Sequence, residues 1–424
     1  MPVTALVPLL AVAALTQCAA ARPPVLASDV AKVMPSVRRD FEAIHRHPEL
    51  GKQEVETAKL VRRRLHEIGF KDLVEVKGLP TAVIAVLDSG RPGKTIALRS
   101  ELDARKAVEK TKLPYASEVP GLMHSCGHDA HAAMLLGAAE VLMARKDTLR
   151  GRVVFVFQPA EESPGGADEI VADGVLDRLQ VTAMFAQHAA PPLPVGEVRI
   201  SPGPALAGSN YFTATVTGKG SHAAVPGEGG DVVLAAAQIA QALSEYPARH
   251  LDLVSHPAVV SVTTFNAGDA ESLNVLPSEA KFQGTLRSFD DLKAPIGTSP
   301  SLFDRLQAQA ASSSAAHGVS TRLDLYAASP VTKNDPALYA SLIGPLRARW
   351  PEGKLGDAPR GMFSEDFSFY TNARPCLYFS LGVAKDGLGL VSPHSDEFSF
   401  HPDALPVGVT LLTTVALLAT GSEL

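Results

Sequence analysis

Arg152-Val153-Val154-Phe155-Val156-Phe157-Gln158-Pro159-Ala160-Glu161-Glu162 is the stretch on which the architecture turns. A strand with one wet face alternates apolar and polar residues, whereas an unbroken β-branched and aromatic run belongs to a strand covered on both faces. Such strands build parallel sheets with helices on either side. The run ends in two adjacent acids, Glu161 and Glu162. Like charges side by side at the mouth of a buried strand are costly unless a cation joins them. The competing reading is a helix start, where acids are also favoured.

Upstream, residues 95–98 form another β-branched run that leads into Arg99-Ser100-Glu101-Leu102-Asp103, and residues 181–186 form a third that leads into Gln187-His188. In α/β sheets, binding and catalytic groups gather beyond the strand ends. The stretch Met123-His124-Ser125-Cys126-Gly127-His128-Asp129-Ala130-His131 holds three histidines, an aspartate and one of the chain's three cysteines. These are side chains that bind transition metals. Cys126 and His128, two apart, point the same way on an extended segment, and Gly127 permits a tight turn. The run of helix formers that follows predicts a loop opening a helix, with Asp129 near the helix's positive end.

Helices are expected over 28–44, where Val30, Val33, Val37, Phe41 and Ile44 recur at helical spacing, and over 54–68, closed by Gly69. A strand is expected over 81–87. Past Pro202-Gly203-Pro204 the texture changes to an alternating strand at 211–217, an Ala-rich helix at 232–243, strands at 258–265 and 280–287, and a helix at 302–316. This is the pattern of an α+β unit inserted at 207–326 between two parts of a larger fold, 28–206 and 327–424. The second part carries helices at 336–350 and 403–418 and a strand at 375–382, followed by a loop containing His394.

The chain has 424 residues, 46% hydrophobic and 20% charged, and a net charge of -6. That composition excludes a disordered or coiled-coil chain, and no basic block suits nucleic acid. The expected partner is a small molecule. The apolar run at 3–15 followed by Ala19-Ala20-Ala21 predicts an export signal over 1–21, although its first residues lack Lys or Arg. The run falls short of the ~18 residues of a membrane span, so no stable membrane insertion is expected. A periplasmic or secreted protein follows, with lipid attachment at Cys18 as a minor alternative. Of the two remaining cysteines, Cys126 suits a metal ligand and Cys376 the core.

In this order the sequence contains H-S-C-G-H-D-A-H, F-Q-P-A-E-E with G-G-A, G-K-G-S-H-A-A, L-N-V-L-P with G-T-L-R, and S-E-D-F-S-F-Y, preceded by His45-Arg46-His47-Pro48-Glu49-Leu50. From about residue 28 onward it resembles the metal-dependent amidohydrolases that include hippurate hydrolases, N-acyl-amino-acid amidohydrolases and auxin-conjugate hydrolases, relatives of aminoacylase and glutamate carboxypeptidase. The resemblance implies a mostly parallel α/β catalytic domain with an inserted lid that mediates homodimerisation. It implies two divalent metal ions, Zn or Mn with Co also admissible, on Cys126, His128, Glu162, His188 and His394. Such ions lower the pKa of a water and polarise an amide carbonyl. Glu161 would act as general base and His222 on the lid would stabilise the oxyanion. Asn274 and Arg287 would hold a substrate carboxylate. Asp103, and Asp129 next to His128 in the first motif, would orient ligands. The implied reaction is hydrolysis of an N-acyl or N-aroyl amino acid. A carboxypeptidase or dipeptidase would use the same machinery, and a non-catalytic periplasmic binding relative is the reading of another class.

The chain departs from the family pattern in two places. Glu101-Leu102-Asp103-Ala104-Arg105-Lys106 stands where this branch has Asp-Met-Asp-Ala-Leu-Pro, putting two cations and a longer acid near the site. Val225-Pro226-Gly227-Glu228 lacks the histidine that commonly follows the proline.

Overall fold

A computed structural model of the chain describes residues 26–423. The expected export signal at 1–21, with Cys18, lies outside the described residues. The larger sheet has eight strands in the order Leu73–Val74, Val83–Asp88, Arg152–Gln158, Thr95–Glu101, Ala183–Ala189, Cys376–Leu381, Val198–Arg199, Leu355–Gly356. The four central strands, from Arg152–Gln158 to Cys376–Leu381, run parallel. Val83–Asp88 joins them antiparallel on one side and Val198–Arg199 on the other.

The unbroken apolar run on Arg152–Gln158 is explained by two cores. Val153, Phe155 and Phe157 face the helices Ala27–Arg46, Val55–Ile68, His128–Ala144 and Ala404–Thr420. Val154 and Val156 face Ala167, Ile170, Phe367 and Tyr370 on the opposite side. Side chains alternate across a strand, so only a strand covered twice needs apolar residues at every position.

The helix His128–Ala144 lies between the sheet and its neighbours, and 14 of its 17 residues are buried. Its centre is crowded: a Cβ on Gly137 would stand 2.5 Å from Val37 Cγ2 and 2.9 Å from Val409 Cγ2. Glycine there lets the flanking helices approach. At the start of this helix Gly127 has φ +89°, a left-handed conformation natural to glycine, and this turns the chain from the Cys126 loop into the first helical turn. The Val55–Ile68 helix ends on the left-handed Gly69. Asp231, Ser301 and Asp335 cap three further helices by accepting N–H bonds from Leu234, Asp304 and Leu338.

A second, antiparallel sheet has the order Ala258–Ala267, Glu279–Ser288, Gly208–Thr217, Ser320–Ser329. The helices Val232–His250 and Leu302–Ala315 cover one face around a separate core that includes Phe212, Val216, Ile239, Leu243, Phe282 and Leu286. The strand Ser320–Ser329 was not expected, and it carries this sheet past residue 326. No helix among the described residues is long and apolar enough to cross a membrane.

Candidate metal centre

Parallel pairing brings the ends of separate strands to one edge. Glu101 is in register with Gln158, and His188 with Ser380. The chain then turns sharply beyond each strand. After Gln158, Ala160 adopts φ 57° and its N–H is held by Glu54 Oε1 at 2.8 Å, which swings Glu161 and Glu162 over the sheet edge. His394 also has a left-handed φ of 72°, and its N–H donates to Ser125 O at 2.8 Å. A non-glycine residue in that region is uncommon and is kept only where the surroundings fix it. Here the hydrogen bond ties the His394 loop to the loop that carries Cys126.

The result is a convergence of six of the side chains singled out from the sequence: Cys126, His128, Glu161, Glu162, His188 and His394. Ligand-type atoms lie within 4.8 Å of one another in the groups Cys126–His128–His188, Cys126–Glu162–His394 and His128–Glu161–Glu162. Cys126 Sγ is 3.5 Å from both His188 Nε2 and His394 Nε2. His394 Nε2 is 3.0 Å from Glu162 Oε1, and His128 Nε2 is 3.8 Å from Glu161 Oε2. Two placements differ from expectation. His188 belongs to the last turn of pleat in Ala183–Ala189 rather than to a loop beyond it, and His128 is the first residue of its helix. Cys126, Glu162 and His394 lie in loops.

The residues present fit a metal. His128 Nδ1 is held by Asp103, 2.9 Å from its carbonyl O and 3.2 Å from Oδ1, while the buried Nε2 has no hydrogen-bond partner. An imidazole fixed through one nitrogen with the other bare is the arrangement of a metal ligand. Burial pushes His188 down to about 4, which keeps it a neutral imidazole with a free lone pair. Burial works against the charge of Glu162, but His394, His128 and Arg105 outweigh it and hold the carboxylate at about 2. Burial and the repulsion of Glu365, Glu162 and Asp366 drive Glu161 the other way, well above the usual carboxylate range.

Asp103 also accepts the Glu162 N–H at 2.9 Å, so one carboxylate fixes two of the converging residues. Asp129 does something else. Its Oδ2 lies 2.6 Å from His45 Nδ1, and its carboxylate hydrogen-bonds to none of the six side chains. Its position in the first helical turn points it backward to the helix Ala27–Arg46. His131 donates to Glu101 Oε2 at 2.8 Å, and its Nε2 accepts the Ala189 N–H at 2.9 Å. His124 is buried with both ring nitrogens unpartnered.

The inserted unit's candidates are not brought into this cluster. His222, exposed, pairs with Val275 beside Asn274, and its Nδ1 accepts the Ala224 N–H. Arg287 comes nearer, donating to Ser364 Oγ at 2.7 Å, next to Glu365.

Sequence reasoning missed the layer beneath the centre. Arg99 is wholly buried and donates to Gln158 Oε1 at 2.9 Å, Glu365 Oε1 at 2.9 Å and Asp366 Oδ1 at 2.6 Å, as well as to Glu101. Tyr378 OH donates to Glu365 Oε2 at 3.0 Å, and Gln158 Nε2 to Asp366 Oδ2 at 2.6 Å. The available signal was the S-E-D-F-S-F-Y motif, whose acid pair resembles Glu161-Glu162.

Known proteins show what the chain is similar to. The chain is similar to a thermostable carboxypeptidase 2 of Saccharolobus solfataricus, at 33% identity over 92% of this chain and 97% of the relative. It is similar to an N-acetylcysteine deacetylase of Bacillus subtilis, at 35% identity over 90% of this chain and 96% of the relative. Among solved structures, a Bacillus subtilis protein described as a dinuclear metal binding peptidase from the M20 family matches with a TM-score of 0.79. Identity there is 30%, over 93% of this chain and 99% of that one. The model of peptidase family M20/M25/M40 matches residues 97–418, and the chain belongs to that family of metal-dependent amidohydrolases and peptidases.

Proposed function

We propose that the protein hydrolyses the amide bond of N-acyl or N-aroyl amino acids, using two divalent ions held by Cys126, His128, Glu162, His188 and His394. The observation that carries this reading is the convergence of those five side chains with Glu161 beside them, 3.8 Å from His128 Nε2. One thiolate among imidazoles and a carboxylate suits Zn, with Mn the second choice. Bound there, the ions supply Lewis acidity and an activated water near neutral pH.

The chain's own residues supply the rest. Glu161 takes a proton from the attacking water and returns it to the leaving amine. Asp103 keeps His128 and Glu162 in place. Arg287 offers a planar fork for a substrate carboxylate, with Asn274 beside His222 on the lid. Because His222 stands away from its own cluster, the unit at 207–326 is assigned as lid and dimer contact, with His222 serving the centre of the partner copy. The exposed Leu273 and Val275 flanking Asn274 are apolar surface consistent with such a contact. Residues 1–21 are assigned as an export signal of a periplasmic or secreted protein, which N-terminal sequencing of the mature protein tests.

The relative named an N-acetylcysteine deacetylase supports the N-acyl amino acid reading, and the one named a carboxypeptidase supports peptides as the alternative. Side-by-side assays of N-acetyl and N-benzoyl amino acids against dipeptides separate the two. In those assays Glu161→Gln should lower kcat by about 10²- to 10⁴-fold while its metal content stays that of wild type. Near-full activity in Glu161→Gln would remove Glu161 from the mechanism.

A further inference from the structure

Arg105 lies on the short strand Arg105–Lys106, which pairs with Leu122–Met123 just before the Cys126 loop. Its Nη1 donates to Glu162 Oε2 at 2.5 Å and stands 3.2 Å from His394 Nε2. Those are two of the three members of the Cys126–Glu162–His394 group. The segment is pinned on that side, because Lys110 N–H donates to Asp396 O at 2.8 Å and Lys110 Nζ pairs with Asp396 Oδ2 at 2.5 Å. The Cys126–His128–His188 group, by contrast, receives no Lys or Arg contact among the described residues.

A guanidinium on ligand atoms competes with a metal ion for them. It cannot relieve the conflict by losing its proton and can only move away. Its side chain is 35% exposed, so a path to solvent exists. Resting on the metal-centre reading above, we infer that Arg105 is a built-in competitor for the Cys126–Glu162–His394 half of the centre. The two halves therefore load in order: the Cys126–His128–His188 half fills first, and the second fills only when Arg105 is displaced.

The test is a metal titration rather than an assay. Full-length wild type and Arg105→Leu are stripped with a chelator and titrated with Zn²⁺ alone by calorimetry against a competing chelator, with bound metal counted by mass spectrometry. Wild type should show two steps. A charge-assisted hydrogen bond to a ligand predicts that Arg105→Leu tightens the second step by about 10- to 100-fold, with the first step changing less than about threefold. Arg105→Lys, which keeps the charge, should stay nearer to wild type. If Arg105→Leu does not fold, as judged by its melting curve, Arg105→Met serves in its place. An unchanged second step, or equal tightening of both, overturns the competitor role while leaving the metal centre standing. Failure of every protein to bind Zn²⁺ overturns the metal-centre reading and this inference with it.

Discussion

Asp103 does two jobs with one carboxylate, and the consequences can be separated. Oδ1 and the main-chain oxygen hold His128 Nδ1, and Oδ2 holds the Glu162 N–H. Asp103→Ala frees the Glu162 N–H and leaves His128 Nδ1 with the main-chain oxygen alone, and metal affinity should fall by about 10- to 100-fold, read by competition with a chelating dye. Asp103→Asn can keep one of the two bonds but sets an N–H against the other partner, so its loss should lie between. Arg99 serves at a deeper level, a single guanidinium among Glu101, Glu365 and Asp366. Arg99→Met leaves buried carboxylates without their cation and should cost about 3–5 kcal/mol in denaturant unfolding. An Arg99→Met protein as stable as wild type would show that the acids carry protons and need no counter-ion.

At the scale of elements, the helices Ala27–Arg46 and His128–Ala144 are joined by His45 and Asp129. Burial works against a charged His45, but Asp129 and Glu109 overcome it and raise the imidazole to about 9 from an ordinary 6.5. A group with a raised folded value stabilises fully below its unfolded value and loses that stabilisation as pH rises through the folded one. Stability should therefore decline between about pH 6.5 and 9, by at most about 3 kcal/mol from this group. His45→Gln should flatten that stretch of the curve. The same helix pair explains what could be read beforehand. The stripe Val30, Val33, Val37, Phe41, Ile44 and the double-covered run at 153–157 carry their surroundings in their own periodicity. Ser320–Ser329 does not: its Leu323 and Leu325 sit among Arg322 and Asp324 on an edge strand where only Leu323 is fully buried. Two-residue strands such as Val198–Arg199 and Leu355–Gly356 are too short for any period to show. At the site, Glu161, Glu162 and His188 were legible because each follows an unbroken apolar run. Glu365 and Asp366 were not, since they precede the helix Phe367–Ala373, where acids are ordinary. Arg105 was noticed only as a departure from a family pattern. Its contact with Glu162 needs the fold.

For the whole molecule, the centre joins segments from residues 103 to 394, so ions bound there would tie together parts of the chain far apart in sequence. Metal that binds only the folded state adds about 2.7 kcal/mol at a hundred times its Kd. Stripping with a chelator should accordingly lower the melting temperature, and adding Zn²⁺ back should restore it. The central claim is the ligand set, and the most direct measurement is anomalous diffraction at the zinc edge from crystals of the Zn-loaded protein. Two peaks per chain are expected, one bounded by Cys126, His128 and His188 and the other by Cys126, Glu162 and His394. Peaks lying elsewhere, or none among these side chains, would contradict it.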